Sequence, residues 1–254
     1  MAKYVRFTRE EGPSWGIMEG DTIYGLKHAP YLGGETDGFT VNISKTELLA
    51  PCEPSKILCV GKNYYGHALE MKEAVPETPI LFMKPNTCVN NPGAVVTRPR
   101  NCHALDYEGE IAFVVGKTAK RVAASQAGEY IFGYTILNDV TARDIQKADG
   151  QWTRSKCFDG FAPIGPYLVT GIDPGNLRLT TRLNGAVKQS ASTSQMMWGI
   201  PELLEFITEG ITLLAGDVVT TGTPEGIGPM AHGDIVEVEI EGLGTLSNSV
   251  VWEK

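Results

Sequence analysis

The sequence predicts a mainly β (α+β) fold with a few short helices. Three observations predict it. Glycine at 29 positions and proline at 15 cut the 254-residue chain into many short segments. Most of these segments are β-branched or aromatic, the side chains that fit a pleated, half-buried surface. Only one stretch carries clear helical spacing.

Taken in order, residues 1 to 50 read as a small N-terminal β domain. "KYVRF" is followed by "WGIMEGDTIYGL", where Glu19-Gly20-Asp21 supplies a hairpin turn. "APCEPSK" is a proline-bearing joint, and residues 51–254 form the second domain, which starts with "ILCVG" as a buried strand. "NYYGHALEMK" reads as a short helix capped by Asn63, and "VAASQAGEYI" as another. The clearest helix is "IPELLEFITEGI", with Pro201 in the first turn, where an N–H would have no partner, and apolar residues at helical intervals. "GDIVEVEIEG" alternates as a half-buried strand does.

Composition narrows the function. Hydrophobic residues at 42% and charged residues at 20% suit a soluble globular protein. A net charge of −8 argues against nonspecific binding to nucleic acid or anionic membrane, which leaves small molecules and cations as partners. No run approaches the ~20 apolar residues that span a bilayer, and the N-terminus lacks a signal-peptide core, so the expected location is cytoplasmic. Five cysteines show no CxxC or zinc spacing and read as reduced, mostly buried thiols. Cys157 has no histidine in its neighbourhood and is discounted as a nucleophile.

"HALDYEGEIAFVV" carries the strongest chemical signal. Asp106, Glu108 and Glu110 alternate, so one extended strand would hold all three on one face, roughly 7 Å apart. Like charges at the edge of a core need solvent or a cation to neutralise them. A solvated edge strand would satisfy that need. "GYTILNDVTARDIQ" tips the balance, because its apolar strand ends at Asn138-Asp139 and places a further carboxylate at a strand terminus. Glu108, Glu110 and Asp139 make an all-oxygen set that favours Mg²⁺ or Mn²⁺ over zinc. Spacing leaves open whether Asp106 replaces either glutamate.

Other groups add acid–base capacity. His67 and Glu70 stand one helical turn apart, the pairing that fixes an imidazole tautomer for proton transfer, although a surface ion pair has the same spacing. Glycine before this helix and "AVPETP" after it suggest a mobile lid. Arg143 and Gln146 follow Asp139 at helical spacing. Lys156, hemmed by apolar and aromatic residues, either neutralises a substrate carboxylate or oxyanion or snorkels to solvent. "TGTPEGIG" can present backbone N–H groups and a threonine hydroxyl to an anion, without the nucleotide-binding glycine pattern. His103 and His232 flank turns and read as bystanders.

"ILCVGKNYYGHALEM", "LDYEGEIAFVVGK", "GYTILNDVTARDIQ", "WTRSKCFDGFAPIGP" and "TGTPEGIGP", in this order, resemble the fumarylacetoacetate hydrolase family over Pro54 to Val251. The first 50 residues are similar, more weakly, to the short N-terminal β domain of many bacterial members. The resemblance implies a β-sandwich roll, a homodimer and bound Mg²⁺ or Mn²⁺. It implies Glu108, Glu110 and Asp139 as metal ligands, with Asp106 just outside. It implies His67 and Glu70 as a catalytic dyad on a lid helix, Lys156 as a substrate-facing catalytic lysine, and Arg143, Gln146 and Thr223 as holders of the substrate's carboxylate or keto group.

The chemistry so implied acts on 2-oxo or 2-hydroxydienoate diacids through an enolate stabilised by the metal. "DYEGE" and "QWTRSKCFDGF" resemble bacterial 2-hydroxyhepta-2,4-diene-1,7-dioate isomerases or decarboxylases of aromatic-compound catabolism. Acylpyruvate or fumarylpyruvate hydrolysis and oxaloacetate decarboxylation or tautomerisation are the alternatives within the family. A noncatalytic cation-binding β-sandwich is the alternative outside it.

Overall fold

A computed structural model of the chain describes residues 1–71 and 74–253. At its centre runs the strand Gly109–Val115, every residue of which is buried. It pairs antiparallel with Ile131–Asn138 on one side and Val218–Thr220 on the other. A strand covered on both faces has no polar face to alternate with, which explains the unbroken apolar run after Glu110.

Its two faces feed two cores. Ile111, Phe113 and Val115 pack with Leu179, Val238, Ile240 and Leu246 of a five-stranded sheet, and with Ile200, Leu204 and Ile207 of the helix Ile200–Gly210. Ala112 and Val114 point the other way, into a cluster with Ile57, Cys59, Ile164 and Leu168. Two sheets sharing an interdigitated apolar layer make the sandwich that the family resemblance implied.

The larger sheet is 12-stranded. The N-terminal strands Ala2–Arg9, Gly12–Glu19, Thr22–Leu26 and Thr36–Asn42 form a meander around Val5, Phe7 and Ile23. Glu19 pairs with Thr22 across Gly20-Asp21, the hairpin turn read from the sequence. The first strand also pairs with Ala162–Thr170, so the N-terminal meander and the central strands share one continuous sheet.

Local structure departs from the sequence reading at three places. Asn63 does not cap the helix Tyr65–Glu70, whose N-cap is Tyr64 without a side-chain bond. The Asn63 side chain instead donates to Thr221 O and Trp198 O and accepts from Trp198 N–H, tying three segments together. Lys72, the last residue of that expected helix, lies outside the described residues. The segment Ala124–Glu129 is a 3₁₀ helix, tightened beneath the α-helix, where Thr208 takes the N–H groups of Arg121 and Val122. The carboxylate-bearing strand also breaks at Glu108, and this break builds the site.

Candidate metal centre and active site

Leu105–Tyr107 belongs to a small three-stranded sheet with Thr141–Ala142 and Gly228–Pro229, whereas Gly109–Val115 belongs to the 12-stranded one. Glu108 stands at the crossing. Asn138 Oδ1 accepts its N–H at 2.9 Å, and Asp139 N–H donates to its carbonyl at 2.8 Å. The next residue must be glycine, because a Cβ at Gly109 would lie 2.3 Å from Thr181 Oγ1 and 2.9 Å from Val238 Cγ1. The same two bonds bring Asp139 beside the glutamates. Glu108, Glu110 and Asp139 are all buried and offer carboxylate oxygens within 4.8 Å of one another.

Buried carboxylates this close require positive charge. Lys156 Nζ reaches Glu108 Oε2 at 2.9 Å and Asp139 Oδ2 at 2.5 Å. Arg143 donates through Nε to Asp106 Oδ2 at 2.8 Å, through Nη1 to Gln146 Oε1 at 2.5 Å, and through Nη2 to Glu108 Oε1. Lys84, wholly buried, pairs with Asp139 Oδ1 and donates to Val140 O at 3.2 Å and Phe161 O at 2.5 Å. Four carboxylates therefore meet three cations. Burial raises the Glu108 carboxyl, but Lys156 and Arg143 outweigh it and hold that group well below the usual range. Asp106 is shifted up by burial, which the Arg143 contact only partly offsets.

Glu110 is the group left over. Among the described residues it has no ion-pair partner, and Gly222 N–H donates to its Oε2 at 2.8 Å. Burial, then the charges of Asp139 and Glu108, pushes its carboxyl up to about 8. The donor set fits a hard divalent cation: three carboxylates, no histidine or cysteine among them, and one net negative charge uncompensated by the protein.

The triad opens into a cavity of about 510 Å³. Arg143, Gln146, Lys156, Thr223 and His67 also line it, as do Lys62, Phe82 and Trp152. His67 is the one histidine of four among these lining residues, and it is buried. Its Nδ1 lies 3.4 Å from Glu70 Oε2. Glu70 in turn accepts the Gly226 N–H at 3.1 and 3.2 Å, and a Cβ on Gly66 would meet the Glu225 carboxylate at 2.3 Å. The helix bearing the dyad thus rests directly on the loop after Thr220.

The family model described as "Fumarylacetoacetate (FAA) hydrolase C-terminal" matches residues 56–251, and one described as "Rv2993c-like, N-terminal" matches residues 2–51. The chain belongs to the fumarylacetoacetate hydrolase family. It is 50% identical over 202 residues to protein MJ1656 of Methanocaldococcus jannaschii, covering 80% of this chain and 85% of that one. It is 43% identical over 256 residues to the oxaloacetate tautomerase YisK of Bacillus subtilis, covering 92% and 84%. The crystal structure of a 2-hydroxyhepta-2,4-diene-1,7-dioate isomerase from Mycobacterium marinum superposes with a TM-score of 0.93 at 42% identity, covering 100% of this chain and 99% of that one.

The residues that the family resemblance singled out converge on one cavity. Glu108, Glu110, Asp139, Arg143, Gln146, Lys156, Thr223 and His67 line it, and Glu70 stands behind His67. Three readings are sharpened or corrected. Lys156 is buried and does not snorkel. Two N–H groups of the 221–228 loop bind the chain's own carboxylates, Glu110 and Glu70, because those anions lie directly against it. The Thr223 hydroxyl is engaged within the protein, donating to Gly109 O and accepting from Gln189 Nε2. His103 and His232 are not among the lining residues, and His232 Nδ1 accepts the Trp252 N–H.

Lys84 and Gln189 also support the site, although neither stands out in the sequence as a site residue. Lys84 shares a period-two face with Ile80 and Phe82 in "ILFMKP", a lone lysine where an apolar residue belongs. Gln189 joins Gly109 N–H, Thr223 Oγ1 and Pro224 O through one buried amide, and nothing in its surroundings marks it. Replacing Lys84 by Met is expected to destabilise the protein by about 3–5 kcal/mol in urea unfolding, because Asp139 is left with less charge compensation in a buried site. Asp106→Asn is expected to loosen Arg143 and cut catalytic efficiency roughly 10–100-fold. Metal affinity, measured by calorimetry, should stay within about threefold, since Asp106 faces Arg143 rather than the triad.

Proposed function

We propose that this protein is a divalent-metal-dependent isomerase that relocates a proton in 2-oxo or 2-hydroxydienoate diacids, interconverting their enol and keto forms. The observation that carries this reading is the meeting, in one cavity, of a buried carboxylate triad, a buried lysine and a single histidine held by a carboxylate. A cation site kept only for structure has no use for the histidine. The YisK and M. marinum proteins support the choice of reaction, since tautomerases and isomerases of this kind both relocate a proton.

Glu108, Glu110 and Asp139 would hold Mg²⁺ or Mn²⁺, which when bound supplies Lewis-acid stabilisation of negative charge on a 2-oxo oxygen. Arg143 and Lys156 add fixed positive charge on the same wall and favour an anionic substrate. Glu70 orients the His67 ring through Nδ1, so proton exchange with substrate falls to Nε2. His67 takes the proton from one end of the three-atom enol system and returns it at the other.

With Mg²⁺ present, oxaloacetate, acetylpyruvate and a hydroxydienoate diacid should be assayed side by side by ultraviolet spectroscopy. The expected result is accelerated enol–keto exchange of the diacids. Cleavage of acetylpyruvate at a higher kcat/KM would favour a carbon–carbon hydrolase, and CO₂ release as the main event a decarboxylase.

A further inference from the structure

Beside the cation site lies a pair of side chains with a chemistry that proton relocation does not use. Cys88 closes the turn Asn86–Cys88 and is wholly buried. Cys157 directly follows Lys156 and is partly exposed, while Cys52, Cys59 and Cys102 are all buried. Cys88 Sγ lies 3.9 Å from the carbonyl of Lys156, the residue bonded directly to Cys157, which brings the two cysteines together. The Cys157 thiol in turn donates to Met83 O at 3.3 Å. Cys157 lines a second cavity, of about 800 Å³, that shares Phe82 and Trp152 with the first and gives small solutes access to the sulfur.

We propose that Cys88 and Cys157 form an oxidisable dithiol, in which Cys157 is the peroxide-reactive sulfur and Cys88 resolves it to a disulfide. The division of roles follows from exposure: a reactive sensor thiol is accessible and stands next to a resolving one. Electrostatics agree. The neighbouring Cys88 thiol pulls the Cys157 thiol below its ordinary value against the effect of burial, with Lys84 and Lys156 assisting, while Cys157 and burial push Cys88 up.

The chemistry balances with hydrogen peroxide as oxidant. The Cys157 thiolate attacks the O–O bond, an S–O bond forms, and the released hydroxide leaves as water with the thiol's proton. The Cys88 sulfur then attacks the Cys157 sulfur. The S–O bond breaks, the S–S bond forms, and the Cys88 proton leaves with the hydroxyl as a second water. Two sulfurs are oxidised by one electron each and the peroxide is reduced. Because Cys88 touches the carbonyl of Lys156, whose ammonium bridges Glu108 and Asp139, the bond pulls on the residue that balances the triad. This effect on turnover rests on the proposed function, whereas the disulfide itself does not.

The Mg²⁺-loaded protein is treated with hydrogen peroxide, quenched with an alkylating reagent and mapped by mass spectrometry without reduction. The expected product is a Cys88–Cys157 linked peptide with the other three cysteines alkylated, reversed by dithiothreitol. Cys88→Ser should stop at a sulfenic acid on Cys157, trapped by dimedone. Cys157→Ser should keep its basal isomerase activity and resist peroxide. Absence of the linked peptide in the wild-type protein, or dimedone labelling in Cys88→Ser on a cysteine other than Cys157, overturns the dithiol. Equal peroxide inactivation of Cys157→Ser and wild type overturns the coupling to Lys156, whatever the substrate assay shows.

Discussion

Replacing Glu110 by Gln is expected to stabilise the metal-free protein while abolishing its metal-dependent turnover. The substitution keeps size and shape, so the bond from Gly222 N–H survives in form and the fold has no cavity to absorb. What it removes is a buried carboxyl that ionises only at a cost, with no ion-pair partner among the described residues. Metal binding should weaken by about 100-fold or more, since a ligand counts for more than the outer contacts worth roughly 10–100-fold. Losing several kcal/mol of Lewis-acid stabilisation corresponds to a rate loss of about 10³-fold.

The pH dependence separates this account from a merely structural one. Glu110 has a folded-state value of about 8, above its ordinary 4.5, so the folded metal-free protein binds a proton that the unfolded chain releases earlier. Its contribution to stability is fully present below about pH 4.5 and is lost as pH rises toward about 8. The thermal midpoint of the metal-free wild type should fall across that window, and Glu110→Gln should flatten the fall. Metal loading near pH 7 should release a proton, visible as a dependence of calorimetric enthalpy on the ionisation heat of the buffer. Parallel midpoint curves for the two proteins would contradict the assignment.

Replacing His67 by Ala is the second large effect. Proton transfer by a positioned side chain contributes about 10²–10⁴-fold, and kcat should fall by that factor. His67 is not a member of the carboxylate set, so calorimetric metal affinity should stay within about threefold. Added imidazole should recover part of the rate, because a cavity of about 510 Å³ admits it beside the substrate's reacting end. Glu70→Gln should cost less, since Gln at that position can still hold Nδ1. A rate within about threefold of wild type in His67→Ala would remove the dyad from the mechanism.

How far these groups could be read from sequence depended on how local their geometry is. His67 and Glu70 meet because one helical turn brings them together, and Arg143 reaches Gln146 for the same reason. The alternating carboxylates gave the composition of the site but not its shape. A continuous strand would have kept Asp106, Glu108 and Glu110 equivalent; the crossing between sheets at Glu108 turns Asp106 toward Arg143 and leaves the other two with Asp139. That crossing depends on Gly109 passing close to Thr181 and Val238, residues more than 70 positions away. Lys84, Gln189 and Asn63 act through partners 56, 80 and 158 positions away, where no short-range pattern can reveal them.

On the function proposed above, a divalent cation on Glu108, Glu110 and Asp139 and a proton carried by His67 act together on a 2-oxo diacid. The decay of oxaloacetate enol absorbance under the wild-type protein, followed with Mg²⁺ and again with chelator, tests that joint action. The expected result is rapid ketonisation with Mg²⁺, loss of the acceleration with chelator, and its return when Mg²⁺ is restored. Ketonisation that proceeds equally fast with chelator, or no acceleration of any 2-oxo diacid with Mg²⁺ bound, would contradict it.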